Sequence, residues 1–502
     1  MKLSSFRCVF FLLFACVASA SNAFAQVHYY GDGRPWKQRA GDGPDAEVDG
    51  WYYNLGVTGL RVELVESAPK HLLVKHVFDD SPAARKVKVG DFITGAAGTA
   101  FENEHQNGYG MDVFGPRGPI LEFAEALEQA QAKKGRLELL LLRDDKQHEV
   151  TLNVGRKLGA FTKSFPEDCK RSDRLLDELY EYLLEEQRED GSWGSVPQNT
   201  FAPLALLASG KRKHRDAVEK NVRMHARTTH AEDKGSLINW RYMTAAIVMS
   251  EYYLATKARW VLPELQEVYE FLYSTQYMDL SQVSPKVKES HPDDYPATAE
   301  EQHGGWGHNP GFEGYGPISM ITGQGALAFA LMSRCGIEID RERHDAAYAF
   351  LERGTGRNGY VWYGDEKAGD DNWADMGRTG AAGIANYLSP YKEERYRERA
   401  LRHARVIGSH PESFPDTHGS PLMGMGYAAL AAFTDEAAFR ALMDSNRWWF
   451  VLAQCEGGSF YYQPNRDNAG YGSDSRVAAS AVTAFILSLP QRGLHMTSKP
   501  RR

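Results

Sequence analysis

The sequence contains little cysteine: five residues in a chain of 502. Two of them, Cys8 and Cys16, lie in an N-terminal apolar segment, and the other three, at 169, 335 and 455, lie far apart. This spacing provides neither a disulfide framework nor a paired metal-ligand motif such as CxxC. We therefore expect buried free thiols with at most one bridge, no metal site and no cofactor.

The chain also lacks a hydrophobic run long enough to span a bilayer, which takes about 20 residues. Its apolar run "CVFFLLFACVA" follows Lys2 and Arg7 and is followed by "AFA" before Gln26. This order is typical of a signal peptide, here residues 1–25, and predicts export to the periplasm or the extracellular space. Alternatively, "LFAC" weakly resembles a lipobox, which would make the protein a lipoprotein anchored through Cys16.

Positive charge is not in excess either, because the formal net charge is −8. A nucleic-acid partner is therefore not expected. The chain is too long for a single core, so several domains are predicted. Composition and patterning predict a flexible lead-in (26–50), a β-rich domain (51–156), a polar linker (157–172), a helical domain (173–490) and a flexible tail (491–502).

The β-rich domain combines alternating strands, one amphipathic helix and a closing hairpin. Its stretch "VKHVFDDSPAARKVKVGDFITGAAG" gives a strand, a Ser-Pro-Ala-Ala helix start and Gly-Asp-Phe-Ile before a turn. This order resembles a PDZ domain. The resemblance implies that a protein C-terminus or an internal peptide adds beside the second strand, with its carboxylate on the preceding loop. Alternatively, this domain only docks on its neighbour. The implied peptide-binding residues are Gly56, Val57, Thr58, Gly59, Leu60 and Arg61.

The helical domain alternates two kinds of helix. Each charged amphipathic helix precedes a helix rich in small residues, such as "ISMITGQGALAFALMS", that is expected to be buried all round. Aromatic turn positions Trp306, Trp362, Phe414 and Phe460 lie 56, 52 and 46 residues apart, and a helix-pair repeat near fifty residues indicates a stacked array. The outer helices are predicted at 173–187, 214–228, 261–276, 342–353, 392–407 and 436–453.

The turn between helices places an aromatic residue after a glycine, as in "YEYLLEEQREDGSWG" and "WWFVLAQCEGGSF". The glycine lets the outer helix end in a left-handed cap, and the aromatic residue is expected to pack between neighbouring pairs. These motifs are similar to the Gln–Trp repeat of squalene and other triterpene cyclases, whose fold protein prenyltransferase β-subunits share. The resemblance implies an all-α (α/α)6 toroid of the terpenoid cyclase type, with a cavity open at the N-terminal ends of its inner helices.

The chemistry of those families is missing. The acidic clusters "HPDDYP" and "AGDDNWAD" do not have the Asp-x-Asp-Asp spacing of triterpene cyclases, which disfavours a terpene cyclase. Neither Cys335 nor Cys455 has an aspartate at the offset of the prenyltransferase zinc site.

Several side chains are nevertheless expected near the inner-helix N-termini, where the helix dipole favours anions and acidic caps. Asp375 or Asp474 with His418 could perform acid/base chemistry for glycoside cleavage or uronic-acid elimination. In the simpler interpretation, such acids cap helices and the aromatic residues fill the core. The expected cavity-lining residues are Trp240, His303, Trp306, His308, Asp371, Trp373, Arg378, Tyr471 and Arg476.

Because every candidate catalytic residue has an adequate structural role, the sequence favours an exported binding or scaffold protein. Its PDZ groove would take a peptide, and its toroid a partner or a glycan. The alternative is a polysaccharide-degrading enzyme, a lyase or a glycoside hydrolase, that uses the acids and histidine at the toroid mouth. The connection 277–315 shows no helix or strand pattern and is expected to be a lid or unstructured.

Overall fold

A computed structural model of the chain describes residues 52–65, 67–105, 117–155, 158–230, 235–290, 295–415, 421–455, 457–461, 463 and 475–497. The predicted signal peptide, Cys16 and the lead-in lie outside these residues. Of the predicted tail, residues 491–497 are described and pack on the helical domain, with Leu494 and Met496 buried.

The N-terminal domain is one antiparallel sheet with a helix on one face. The strands are ordered β1-β2-β3-β4-β6-β7, with β5 paired to β4. Alternate residues of β6 are buried, and α1 buries Ile120, Phe123 and Leu127. The elements are β1 (Tyr52–Asn54), β2 (Leu60–Glu63), β3 (Leu72–Val77), β4 (Phe92–Ala96), β5 (Thr99–Ala100), α1 (Pro119–Ala132), β6 (Arg136–Arg143) and β7 (Lys146–Asn153).

One element of this domain differs between the sequence-based prediction and the structure. The Ala-rich stretch after Ser81 forms turns rather than a helix, because Arg85 adopts a left-handed conformation (φ 64°) that an α-helix does not tolerate. The coarse architecture, a small β-rich domain of α+β type, is confirmed. Its assignment as a PDZ domain stays a prediction.

The C-terminal domain contains the six predicted outer–inner helix pairs. The outer helices are α2 (Lys170–Glu185), α4 (Arg212–Thr228), α6 (Val261–Thr275), α9 (Arg341–Arg353), α11 (Glu394–Ser409) and α13 (Glu436–Ser445), which continues into α14 (Arg447–Leu452). The inner helices are α3 (Val196–Ala208), α5 (Ile238–Thr256), α8 (Ser319–Cys335), α10 (Gly377–Leu388), α12 (Pro421–Ala432) and α15 (Ser475–Ser488).

The inner helices close into a ring. Each contacts the next in the order α3, α5, α8, α10, α12, α15, and α15 returns to α3. Small residues permit the close approach: a Cβ on Gly380 of α10 would lie 2.4 Å from the carbonyl carbon of Tyr427 on α12. The domain is therefore a helical toroid, as predicted.

The turn motif has a structural role. The indole Nε1 of Trp193 donates to Leu183 O at 2.6 Å, and that of Trp306 donates to Leu272 O at 2.9 Å. Both acceptors lie in the last turn of an outer helix, and Leu272 O also accepts from the backbone N–H of Gln276. Both tryptophans are fully buried, which confirms the predicted packing.

Trp362 does not follow this pattern. Its side chain is 37% exposed, and Val361 instead occupies the buried corner. Isolated bridges Thr355–Val361 and Gln454–Phe460 show that Val361 and Phe460 are equivalent positions. The prediction that Trp362 packs between helix pairs is therefore wrong by one residue.

The connection before α8 is partly structured, contrary to expectation. It contains α7 (Pro285–Ser290) and a small core of its own, formed by Tyr277, Val283, Val287 and Phe312. In the described part of the chain, no helix has the length and apolarity that crossing a membrane requires.

The two domains are packed together. Helix α14 contacts α1 and the turn at 56–58. Gln463 of the toroid accepts a hydrogen bond from Asn54 N at 3.0 Å and donates one to Asn54 O at 3.2 Å. Cys169, Cys335 and Cys455 are buried and free, as expected.

Candidate functional site

A cavity of about 450 Å³ opens at the N-terminal ends of the inner helices. We call it the mouth cavity. Among the described residues, five inner helices contribute side chains from their first turn or from the segment just before it, which is where a toroid is expected to carry its site. Its walls include Val196 before α3, Leu237 and Trp240 at α5, Met320 at α8, Asp375 and Arg378 at α10, Met423 at α12, and His308, Tyr315 and Tyr363 from loops.

Asp375 and Arg378 form an ion pair at the start of α10, with an N–O distance of 3.2 Å. Arg378 is only 7% exposed, and one terminal nitrogen donates to Tyr360 Oη at 2.7 Å. Its guanidinium carbon lies 5.4–6.0 Å from the ring centres of Tyr360, Trp362 and Tyr363. A buried cation is stable only when it is paired, so these contacts fix the Asp375 carboxylate beside it.

Two tyrosines meet at the cavity wall. The hydroxyl oxygens of Tyr315 and Tyr363 are 2.6 Å apart. Burial raises the pKa of Tyr363, and the hydrogen bond from its neighbour raises it further. The Tyr363 hydroxyl therefore stays protonated near neutral pH.

His308 lies between Trp240 and Tyr315. Trp240 Nε1 donates to His308 Nδ1 at 2.9 Å, and the Tyr315 ring centre is 4.9 Å from the imidazole. Burial lowers the pKa of His308, so this side chain is neutral near pH 7.

Two residues of the cavity wall adopt a backbone conformation that non-glycine residues rarely use. Leu237 has φ 54° and Asp375 has φ 56°. Leucine in this region is strained, and its side chain remains 50% exposed. Strained residues concentrate at binding and active sites. Leu237 is the residue before α5, and Asp375 lies two residues before α10.

The structure separates the predicted cavity residues into three groups. Trp240, His308, Asp375 and Arg378 meet at the mouth cavity. His418, Tyr471 and Asp474 lie outside the described residues, so the proposed acid–histidine pairs with His418 stay predictions. His303, Trp306, Asp371, Trp373 and Arg476 are described but do not line this cavity.

Three residues of this last group lie in other surroundings. Trp306 is fully buried because its indole caps α6. Asp371 is exposed and caps nothing, since the N-cap of α10 is Met376. The ring of Trp373 stacks on His410 with centres 5.5 Å apart.

Sequence reasoning missed Tyr315 and Tyr363 as parts of the site. Tyr363 lies within the motif "GRNGYVWYG", whose tryptophan drew attention instead. Tyr315 lies in the connection without recognisable pattern, and only the fold brings it 2.6 Å from Tyr363, 48 residues away.

Of the residues expected to bind a peptide, Gly56 and Arg61 contact the toroid, Arg61 through the ring of Tyr461. Gly56 faces α14, where a Cβ would lie 2.7 Å from Val451 O. Leu60 and Arg61 are buried in β2, and β2 pairs with β1 on one edge and β3 on the other. Because both edges are used, a peptide has no free edge of β2 to join.

Residues 172–498 match the family described as a domain of unknown function (DUF6288). The chain belongs to this family. The match covers the whole toroid and leaves out the N-terminal domain of this DUF6288 protein. No curated protein matches the chain.

Several solved structures are similar in fold to this DUF6288 protein. The inactive variant of the α-1,6-mannanase GH76A of Salegentibacter sp. HEL1_6, in complex with α-1,6-mannotriose, is 11% identical with a TM-score of 0.47, covering 63% of this chain and 99% of the mannanase. A family 76 glycoside hydrolase from a bovine Bacteroides thetaiotaomicron strain is 9% identical with a TM-score of 0.47, covering 71% and 84%. The cellobiose 2-epimerase from Bacillus thermoamylovorans B4167 is 11% identical with a TM-score of 0.44, covering 63% and 99%.

The expectation that this DUF6288 protein is a peptide-binding scaffold is wrong, because β1 and β3 pair with the two edges of β2 and leave no free edge for a peptide. The assignment of the toroid to the terpenoid cyclase type stays a prediction. Among the described residues, no group of three or more His, Cys, Asp and Glu is arranged to hold a metal ion.

Proposed function

We propose that the protein is an enzyme that cleaves a polysaccharide or an oligosaccharide in the mouth cavity. The observation that carries this proposal is the combination of aromatic walls with the fixed Asp375–Arg378 ion pair. Aromatic rings offer apolar faces to sugar rings, while a few placed polar groups give orientation. The strained conformation of Asp375 and Leu237 supports the same location.

Asp375 is the proposed acid/base group. A carboxylate beside a cation stays ionised, which suits a base or a nucleophile. Glycoside hydrolysis uses a second carboxylate. Asp474 is a candidate for this carboxylate on sequence grounds alone. His418 is, on the same grounds, a candidate for a histidine that pairs with a carboxylate. Elimination from a uronic acid instead needs one base and a cation beside the sugar carboxylate, and Arg378 could provide that cation.

Turnover of a panel of neutral and uronic-acid polysaccharides tests the proposal. Hydrolysis creates new reducing ends, whereas elimination also creates a carbon–carbon double bond that absorbs ultraviolet light. Asp375→Asn should lower turnover by roughly 10²–10⁴-fold. Asp216→Asn, on the exposed face of α4, is the matched control and should turn over like the wild type. Full activity of Asp375→Asn would refute the proposed role of this carboxylate.

The N-terminal domain is proposed to be PDZ-like in architecture, with a docking role in place of peptide recognition. Its β1 strand and the 56–58 turn face the toroid, as described above. Export is likewise a proposal: mass spectrometry of the protein from its native host should find an N-terminus at Gln26.

A further inference from the structure

Asn239 holds the segment that carries His308. Its side-chain nitrogen donates to Gly307 O at 2.9 Å and to Asn309 O at 3.1 Å, the two carbonyls on either side of His308. Its backbone N–H donates to His308 O at 3.2 Å. One fully buried residue at the start of α5 therefore fixes three consecutive carbonyls of the loop.

Trp240, the next residue, holds the imidazole ring itself. The hydrogen bond from its Nε1 to His308 Nδ1 is 2.9 Å long. The two rings are inclined by only 23°, with centres 6.1 Å apart. This near-coplanar arrangement directs the indole N–H along the in-plane lone pair of Nδ1.

The hydrogen bond decides which nitrogen of His308 carries the proton. An indole N–H only donates, so Nδ1 must be the unprotonated acceptor. A protonated imidazole, with hydrogens on both nitrogens, would face the indole hydrogen and lose the bond. Burial also favours the neutral imidazole, because it lowers the pKa of His308. The ionisable groups that share the cavity with it are Tyr315, Tyr363, Asp375 and Arg378.

The proton therefore lies on Nε2, which has no hydrogen-bond partner among the described residues of the chain. We propose, on the basis of the proposed function, that His308 is a fixed neutral donor whose Nε2–H binds an oxygen of the saccharide, and that it does not act as a base. Trp240 is then a positioning residue that acts through His308. A saccharide with an acceptor oxygen opposite the Nε2–H binds, whereas one without that oxygen leaves the Nε2–H unpaired and binds more weakly.

Nuclear magnetic resonance of histidine labelled with ¹⁵N tests the protonation state without any need for turnover. His308→Gln identifies the resonances. In the wild-type protein we expect His308 to titrate below its usual pKa with the Nε2–H tautomer alone. Trp240→Phe keeps an aromatic ring but removes the donor, and should raise the pKa of His308 by roughly 0.5–1 unit and populate both tautomers. Trp260→Phe, at the turn before α6, removes an indole outside the cavity and should change neither.

An Nδ1–H tautomer in the wild type, or an unchanged tautomer and pKa in Trp240→Phe, would overturn the inference. The role of the donor is tested separately on the saccharide that the panel identifies. Glutamine places an N–H near the position of Nε2 but cannot act as a base. His308→Gln should retain turnover within roughly tenfold of the wild type, and His308→Ala should lose roughly 10²-fold.

Equal losses in the glutamine and alanine variants would assign His308 as a base and refute the donor role. If no saccharide is bound or turned over while the tautomer result holds, the proposed function fails and the fixed Nε2–H remains. The two failures are therefore distinguishable.

Discussion

At the scale of single residues, the toroid contains a second unusual ionisable group, Glu251 of α5. Its carboxylate is buried and accepts hydrogen bonds from the backbone N–H groups of His495 and Met496, both at 2.7 Å. It thereby attaches the C-terminal segment to the inner ring. Burial raises the pKa of Glu251 to about 7 despite these two hydrogen bonds.

The pKa of Glu251 predicts a pH dependence of stability. The folded pKa, about 7, lies above the value of 4.5 for an unperturbed glutamate, so the folded state binds the proton more tightly. This contribution to stability is complete below pH 4.5 and is lost as pH rises through 7. Within that window, the free energy of unfolding should fall by up to about 1.4 kcal/mol per pH unit.

Urea denaturation at pH 5 and pH 7.5 measures this slope. Glu251→Gln cannot titrate, so its free energy of unfolding should fall less between these pH values than that of the wild type. Glu338→Gln, at an exposed position, serves as the control and should keep the wild-type slope. The assignment is wrong if all three proteins show the same slope.

At the scale of helices and turns, the glutamines Gln187 and Gln276, which precede the corners of Trp193 and Trp306, have a shared role. Gln187 Nε2 donates to Gly191 O and to Ala217 O of α4. Gln276 Nε2 donates to Gly304 O at 2.7 Å and to Arg343 O of α9 at 3.0 Å. Each glutamine thus connects the end of one outer helix to its own corner and to the next outer helix.

Gln276→Ala should destabilise the toroid, because it removes the side-chain donor of the buried Gly304 carbonyl and a second hydrogen bond, to Arg343 O of α9. Leaving one buried carbonyl unsatisfied costs about 1–3 kcal/mol, and a loss of that size is expected in chemical denaturation. Gln266→Ala removes an exposed glutamine of α6 that bonds only Glu270 and should have little effect. Equal free energies of unfolding for the two variants would show that the corner hydrogen bonds do not stabilise the toroid.

Helix pairs could be predicted from the sequence because periodicity and small-residue content are local properties. The corner hydrogen bonds are not a local property of the sequence. Gln302 precedes Trp306 by four residues, much as Gln187 precedes Trp193 by six, yet the fold uses Gln276, 30 residues before Trp306. The mouth cavity was predicted in part, since Trp240, His308 and Arg378 each start or precede an inner helix. Their partners Tyr315 and Tyr363 come from loops whose positions depend on the closed ring.

At the scale of the whole molecule, the N-terminal domain is a docked part of the fold. Arg440 and Arg447, beside α14, donate to Phe165 O and Thr162 O of the linker, and the aromatic ring of Phe165 packs on Phe450. The close approach at Gly56 leaves no space for a side chain at the interface.

A comparison of two glycines tests this docking. Gly56→Ala would place its Cβ 2.7 Å from Val451 O, whereas Gly155→Ala meets nothing within 4 Å. Both glycines have positive φ, at 60° and 70°, so the backbone strain of the two variants is similar. We expect Gly56→Ala to lower the free energy of unfolding by roughly 1–3 kcal/mol more than Gly155→Ala does. Both variants should unfold in a single thermal transition of the full chain. Equal losses, or separate transitions of the two domains, would contradict a rigid interface.

The central claim is that the mouth cavity binds and cleaves a saccharide. Its most direct test is a crystal structure of Asp375→Asn, in which cleavage is slowed, soaked with a mixture of neutral and uronic-acid oligosaccharides. The account predicts a sugar ring against Trp240 and Tyr315, with one of its oxygens within hydrogen-bonding distance of His308 Nε2. A sugar bound elsewhere on the molecule, or an empty mouth cavity at saturating oligosaccharide, would contradict it.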